Sequence, residues 1–175
     1  LHPGRLRRES PFVSTLASNP PRSLAPDVTL AAHDGSRFTL GERRGRSAVL
    51  VVFYRGHWCP YCRRYLCKLQ RNEPRFRELG VQVVAISPEP VATSASLARE
   101  LRVTFPLLCD SDGEAIEAFN VRSRFASTRA LLPHPAVLLI DRDGVVRFRS
   151  VDRNYKSRTT MHTIFTEIER LLAAG

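Results

Sequence analysis

Three features of the sequence predict an α/β domain built on a mainly parallel sheet. Predominantly apolar runs suited to buried strands fall at residues 47–54, 81–86 and 136–140, apolar residues recur at helical spacing between and after them, and turn signals sit at residues 33–36 and 141–144. At 175 residues and 43% apolar content, the chain has room for one such domain. Its longest uninterrupted apolar run, residues 48–54, is far too short to cross a bilayer, so no membrane partner is expected.

Residues 1–22 carry four prolines, four arginines and a single acid without any apolar period. We read residues 1–24 as a flexible Arg/Pro-rich arm and residues 25–175 as the folded domain. Val28-Thr29-Leu30 and Arg37-Phe38-Thr39-Leu40 flank His33-Asp34-Gly35-Ser36, which predicts a hairpin. Residues 47–54 follow as a strand buried on both faces. Tyr65, Leu66, Leu69, Phe76 and Leu79 then predict a helix over residues 60–79, with Pro60 suited to its first turn and Gly80 to its C-terminal cap. Pro74 is expected to kink or break that helix.

A second buried strand at 81–86, a helix at 91–101 and a short helix at 111–119 come next. The strand-helix-strand order implies a right-handed crossover. After Leu132-Pro133-His134-Pro135, residues 136–140 predict a strand that turns through Asp141-Arg142-Asp143-Gly144 into an antiparallel partner at 145–148. Met161, Ile164, Phe165, Ile168, Leu171 and Leu172 place one apolar face on a final helix.

The net charge of +10 raises nucleic acid as a partner, because clustered cations bind phosphate with release of counterions. All the basic residues except Lys68 and Lys156 are arginines, however, and they are scattered without a basic helix. A solvated surface explains them, and nucleic acid is not an expected partner. Met161 is the only methionine, so the chain reads as a processed or trimmed form. The expected compartment is the cytoplasm, with organelle targeting left open by an acid-poor leader bearing Arg and Ser.

Four cysteines are too few for a secreted disulfide scaffold of this length, and Cys59, Cys62 and Cys67 crowd into one short segment. Reactivity explains that crowding better than structure does. Cys59 and Cys62 lie where a buried strand passes into a helix N-terminus, whose unsatisfied N–H groups and dipole favour a thiolate. A second cysteine one turn on can attack a mixed disulfide and release the product. His57-x-Cys59-x-x-Cys62 also has ligand chemistry, but a closed zinc site needs a second ligand pair and the sequence offers none, so no metal is expected. His57 is a candidate to stabilise a thiolate or pass a proton, and Trp58 and Tyr61 to form an apolar rim. Cys109 is read as a packing residue beside a Phe105-Pro106 edge segment.

Trp58-Cys59-Pro60-Tyr61-Cys62 after a hydrophobic strand resembles the active site of thioredoxins and glutaredoxins. His134-Pro135 before a strand looks like the cis-proline loop of that superfamily, with Pro135 lining the site. Over residues 25–174 the chain most resembles the peroxiredoxin branch, the alkyl hydroperoxide reductase and thiol-specific antioxidant (AhpC/TSA) family. The supporting segments are Ala25-Pro26, Asp34-Gly35, Phe53-Tyr54, Phe105-Pro106-Leu107-Leu108-Cys109-Asp110 and Ile140-Asp141-Arg142-Asp143-Gly144. The resemblance implies a thioredoxin-like three-layer α/β/α sandwich with an N-terminal hairpin. Cys62 takes the place of the peroxidatic cysteine and Cys59 that of the Thr or Ser three residues before it.

Two positions depart from the family pattern. Arg55 stands where the motif has proline, and Pro135 stands near the arginine that helps bind peroxide. Arg124 and Arg129, in the loop before residue 136, are candidates for the missing cation. Cys67 is a candidate resolving thiol, because Cys62-x-x-x-x-Cys67 has the spacing used in Q-type peroxiredoxins. Positions five apart lie about 140° apart around a helix, so that bond requires unwinding, and Cys59 is the easier partner.

The resemblance therefore implies an antioxidant oxidoreductase. Cys62 attacks a hydroperoxide, the sulfenic acid condenses with Cys59, and thioredoxin, glutaredoxin or glutathione reduces the disulfide. No bound cofactor is needed, and a homodimer is the candidate assembly. Two alternatives stand beside it: disulfide exchange on protein substrates led by Cys59, and a non-enzymatic redox-fold binding protein.

Overall fold

The computed structural model describes residues 22–124 and 131–175. A single seven-stranded sheet runs through the described residues in the order β2-β1-β5-β4-β3-β6-β7. Its strands are β1 (Thr29–Ala32), β2 (Arg37–Thr39), β3 (Ala48–Phe53), β4 (Val81–Ser87), β5 (Leu107–Cys109), β6 (Ala136–Ile140) and β7 (Val146–Val151). The helices are α1 (Pro60–Glu78), α2 (Val91–Leu101), α3 (Glu114–Ala118) and α4 (Met161–Ala173). β3 pairs parallel with β4 and antiparallel with β6, so this all-apolar strand is central and buried throughout.

Alternation along the strands divides the core into two layers. Leu50, Val52, Val83, Ala85 and Leu139 point to the side covered by Leu66, Leu69 and Phe76 of α1, Leu97 of α2, and Ile164 and Ile168 of α4. Val49, Val51, Phe53, Val84, Ile86 and Leu138 point to the other side, covered by Ile116 of α3, Phe119 and the segment around Val28 and Leu30. Helices on both faces of one sheet make the expected three-layer sandwich, with the β1–β2 hairpin at one edge.

The structure corrects four details. α1 runs unbroken through Pro74. The lost N–H bond is outweighed there by the burial of Leu69 and Phe76 on either side, Phe76 stacking on Phe165 with centroids 4.8 Å apart. The Phe105-Pro106 segment is not at an edge, because it leads into β5, which lies between β1 and β4. The short helix begins later than expected, at Glu114, where the Asp110 carboxylate accepts the N–H groups of Ala115 and Ile116. Residues 22–24 are tied to the domain: the Arg22 N–H donates to Val146 O at 2.6 Å and the Val146 N–H to Ser23 O at 2.8 Å.

Candidate active site

The two central cysteines lie at the C-terminal end of β3, where the chain leaves the sheet and enters α1. Cys59 is the residue before the first helical turn and Pro60 opens that turn, as their positions in the sequence predict. Both thiols are buried, Cys59 at 1% and Cys62 at 0% exposure, and all four cysteines are free thiols.

Two donors converge on the Cys62 sulfur. Arg158 Nη2 lies 3.1 Å from Sγ and the Arg55 N–H donates to the same atom at 3.4 Å. The Arg55 contact gives the departure from proline a physical meaning, since proline has no N–H to offer. The Arg55 guanidinium is sandwiched between the Trp58 and Tyr155 rings, 4.9 Å from each centroid. Arg158 is held in turn by the carbonyls of Tyr155 at 2.7 Å and Ser157 at 2.6 Å.

The thiols divide their charge unequally. Burial pushes Cys59 up, but the Cys62 N–H, the Cys62 thiol, the Tyr61 N–H and the charge of Arg158 bring it below the ordinary thiol value. Cys62 is pushed up by burial and by the adjacent Cys59, against the opposing pull of the Arg55 N–H and Arg158. Cys59 is thus the lower and Cys62 the higher of two thiols that titrate as a pair.

Glu89 fastens the loop ahead of Cys59. Both carboxylate oxygens accept the His57 N–H at 3.0 Å, and Nδ1 of the His57 ring also meets Oε1. Glu89 is buried and lies between Pro88 and Pro90, just past β4. Gly56 makes the approach possible, because a Cβ there would lie 2.5 Å from Trp58 Nε1 and 3.0 Å from Glu89 Oε1.

Among the residues singled out in the sequence, Cys59, Cys62, His57, Trp58 and Tyr61 come together at this end of the sheet. Trp58 is half exposed and the Tyr61 ring meets Tyr155 edge-on at 5.9 Å. Pro135 is buried at the head of β6, where its carbonyl accepts the Asp152 N–H at 2.8 Å. Its peptide bond is trans, which corrects the cis expectation and accords with the ordinary preference of X-Pro bonds. Cys67 is half-buried five residues beyond Cys62 on α1, and Cys109 is buried at the end of β5 with its thiol pushed up by burial.

Arg124 is exposed and has no hydrogen bond to either site sulfur, while Arg129 lies outside the described residues. Among the described residues, Arg158, in the segment between β7 and α4, brings a cation to Cys62. Among the described residues, no group of three or more His, Cys, Asp or Glu side chains could hold a metal ion.

The chain is 28% identical over 126 residues to a chloroplastic peroxiredoxin Q of Oryza sativa subsp. japonica, covering 72% of this chain and 56% of that protein. It is 29% identical over 126 residues to the thiol-disulfide oxidoreductase ResA of Geobacillus kaustophilus, covering 71% and 66%. The match thus spans little more than half the length of the rice relative. The fold is similar to that of the crystal structure of peroxidoxin BcpB from Mycobacterium tuberculosis, with a TM-score of 0.75 at 22% identity, covering 89% of this chain and 97% of the other. The family profile of AhpC/TSA matches residues 21–149, ending within β7, and the chain belongs to the AhpC/TSA family.

Proposed function

We propose that the protein is a thiol peroxidase in which Cys62 attacks the hydroperoxide and Cys59 resolves the product. The observation that carries this reading is the pair of donors on Cys62 Sγ, Arg158 Nη2 and the Arg55 N–H. Both stabilise a thiolate at that sulfur when it forms.

In the proposed cycle, the Cys62 proton moves to the Cys59 thiolate. Cys62 sulfur then attacks the distal peroxide oxygen, the O–O bond breaks, and the Cys59 proton is delivered to the departing alkoxide or hydroxide. Cys62 is now a sulfenic acid. The Cys59 thiolate attacks its sulfur, hydroxide leaves, and an external thiol later returns two electrons to the disulfide. Cys59 thus serves as base, acid and resolving thiol in turn. A reducing compartment such as the cytoplasm would supply the thiol. None of the described helices is long and apolar enough to cross a membrane.

The lowered Cys59 thiol and the likeness to ResA favour a second reading, in which Cys59 leads exchange with disulfide substrates. The same experiment separates the two. Reduced protein is mixed with less than one equivalent of hydrogen peroxide, its loss is followed by stopped flow, and the product is mapped by mass spectrometry. Rapid loss with a Cys59–Cys62 bond, abolished by Cys62→Ser, supports the peroxidase. Peroxide loss that survives Cys62→Ser, with disulfide reduction lost in Cys59→Ser, overturns it in favour of exchange.

A further inference from the structure

Beside the dithiol lies a groove of about 580 Å³, between one face of α1 and residues 156–161. That volume lies within the range of small-molecule sites. The α1 wall is Tyr61, Arg64, Tyr65 and Lys68, positions that share a helical face, and the opposite wall brings Lys156 and Arg158. Four cations and no carboxylate line the groove. None of the four forms an ion pair within 4.0 Å of a carboxylate among the described residues, whereas Arg63, Arg75 and Arg77 on the same helix each have one. Asp152, close enough to feel the charge of Arg158, does not line the groove.

We infer that this groove binds an acidic, low-molecular-weight thiol and that this thiol is the reductant of the Cys59–Cys62 disulfide. The inference rests on the dithiol cycle proposed above. Charge favours a ligand with more than one carboxylate. The Tyr61 and Tyr65 rings and Met161 lie among the cations and give the aliphatic stem of such a thiol a surface to pack on.

One lining residue connects the groove with the chemistry. Arg158 lines it, touches Cys62 Sγ and acts on the charge of both thiols. The small thiolate attacks Cys59 Sγ and the S–S bond breaks. Cys62 leaves as a thiolate held by Arg158 and the Arg55 N–H. A second thiol attacks the mixed disulfide and releases Cys59 together with the oxidised dimer of the reductant. Two thiols thus supply the two electrons and two protons that restore the dithiol.

Trp58, the only tryptophan and the neighbour of Cys59, provides a fluorescence signal for the test. Protein oxidised with diamide is mixed with glutathione or with glutathione diethyl ester at about 0.05 M and about 0.5 M salt. Each rate is normalised to that thiol's rate with a small neutral disulfide. At low salt the acid should react about tenfold faster than the ester, and salt should erase most of the difference. Lys68→Glu and Lys156→Glu should each shrink that ratio about fivefold. Arg37→Glu, the same charge change on β2, should leave it unaltered.

A ratio within about twofold of unity in the unmodified protein, or equal shrinkage in Arg37→Glu, overturns the inference. Failure of diamide to form the Cys59–Cys62 bond would instead overturn the dithiol cycle. The groove is then judged by titrating reduced protein with redox-inert S-methylglutathione. Amide shifts at residues 64, 68 and 156 that vanish in Lys156→Glu uphold a site for the acidic tripeptide, and their absence overturns it.

Discussion

Replacing Arg158 with methionine tests the chemistry most directly. The substitution keeps the bulk of the side chain near Tyr65 and removes the guanidinium that lies 3.1 Å from Cys62 Sγ. A hydrogen bond to a charged partner contributes about 1.5–3 kcal/mol, so kcat/KM for hydrogen peroxide should fall about 10- to 150-fold. The pH profile supplies a second readout. Arg158 lowers the pKa of both thiols, so its loss raises both, and the acid limb of the rate profile should move to higher pH. Arg158→Lys keeps the charge without the planar fork and should recover part of the rate. Arg158 also holds the carbonyls of Tyr155 and Ser157, so a looser loop could slow the reaction by itself. Alkylation of reduced protein by iodoacetamide as a function of pH separates the effects, because loop loosening alone would expose the thiols without moving the profile upward. A change in kcat/KM below about threefold, with an unshifted profile, would refute the role assigned to Arg158.

Three further outcomes follow from the geometry. Glu89→Ala leaves the His57 N–H without its acceptor, which should cost about 1–3 kcal/mol and slow peroxide reduction, while Glu89→Gln should be milder in thermal melts and stopped flow alike. Phe76→Ala removes a fully buried ring from its stack on Phe165 and should lower unfolding free energy by about 3–5 kcal/mol in urea titrations. Burial raises Tyr54 and Tyr65 above the ordinary tyrosine range, so the unfolded chain ionises first on going alkaline. The stability these rings contribute is complete below about pH 10 and lost above it by up to about 1.4 kcal/mol per pH unit for each ring; Tyr65→Phe should flatten that fall, and a flat urea midpoint up to about pH 11 would contradict it.

The sheet's central strands and long helices were legible in the sequence because each carries its own period. The apolar run of β3 reads as a strand buried on two faces, and the face of α4 repeats Ile164, Phe165 and Ile168 at helical spacing. β5 was not legible as an interior strand, since three residues after Pro106 hold no alternation and their place depends on partners in β1 and β4 far away in sequence. Cys59 and Cys62 announced themselves through spacing and position. Glu89 left a local trace, an acid between two prolines just past a parallel strand, where α/β proteins commonly bind ligands. Arg158 left none: it is one arginine in an Arg-rich chain, 96 residues from the sulfur it touches.

The source of that cation has a consequence for how the site can change. In the resembled pattern the arginine stands close to the position of Pro135, at the head of β6 and therefore on the sheet. Here a guanidinium reaches Cys62 from the connection between β7 and α4, whose neighbouring residues form a wall of the cationic groove. The Tyr155 and Ser157 carbonyls anchor that guanidinium, and Tyr155 in turn packs on Arg55. The arrangement joins two tasks in one segment. A molecule seated against Lys156 pulls on the same connection that sets the distance from Arg158 to Cys62. Occupancy of the groove should therefore alter thiol reactivity before any bond is exchanged. Saturating S-methylglutathione should change the iodoacetamide rate at Cys62, and Lys156→Glu should abolish that change. An unchanged rate at saturation would mean that groove and guanidinium act independently despite sharing a segment.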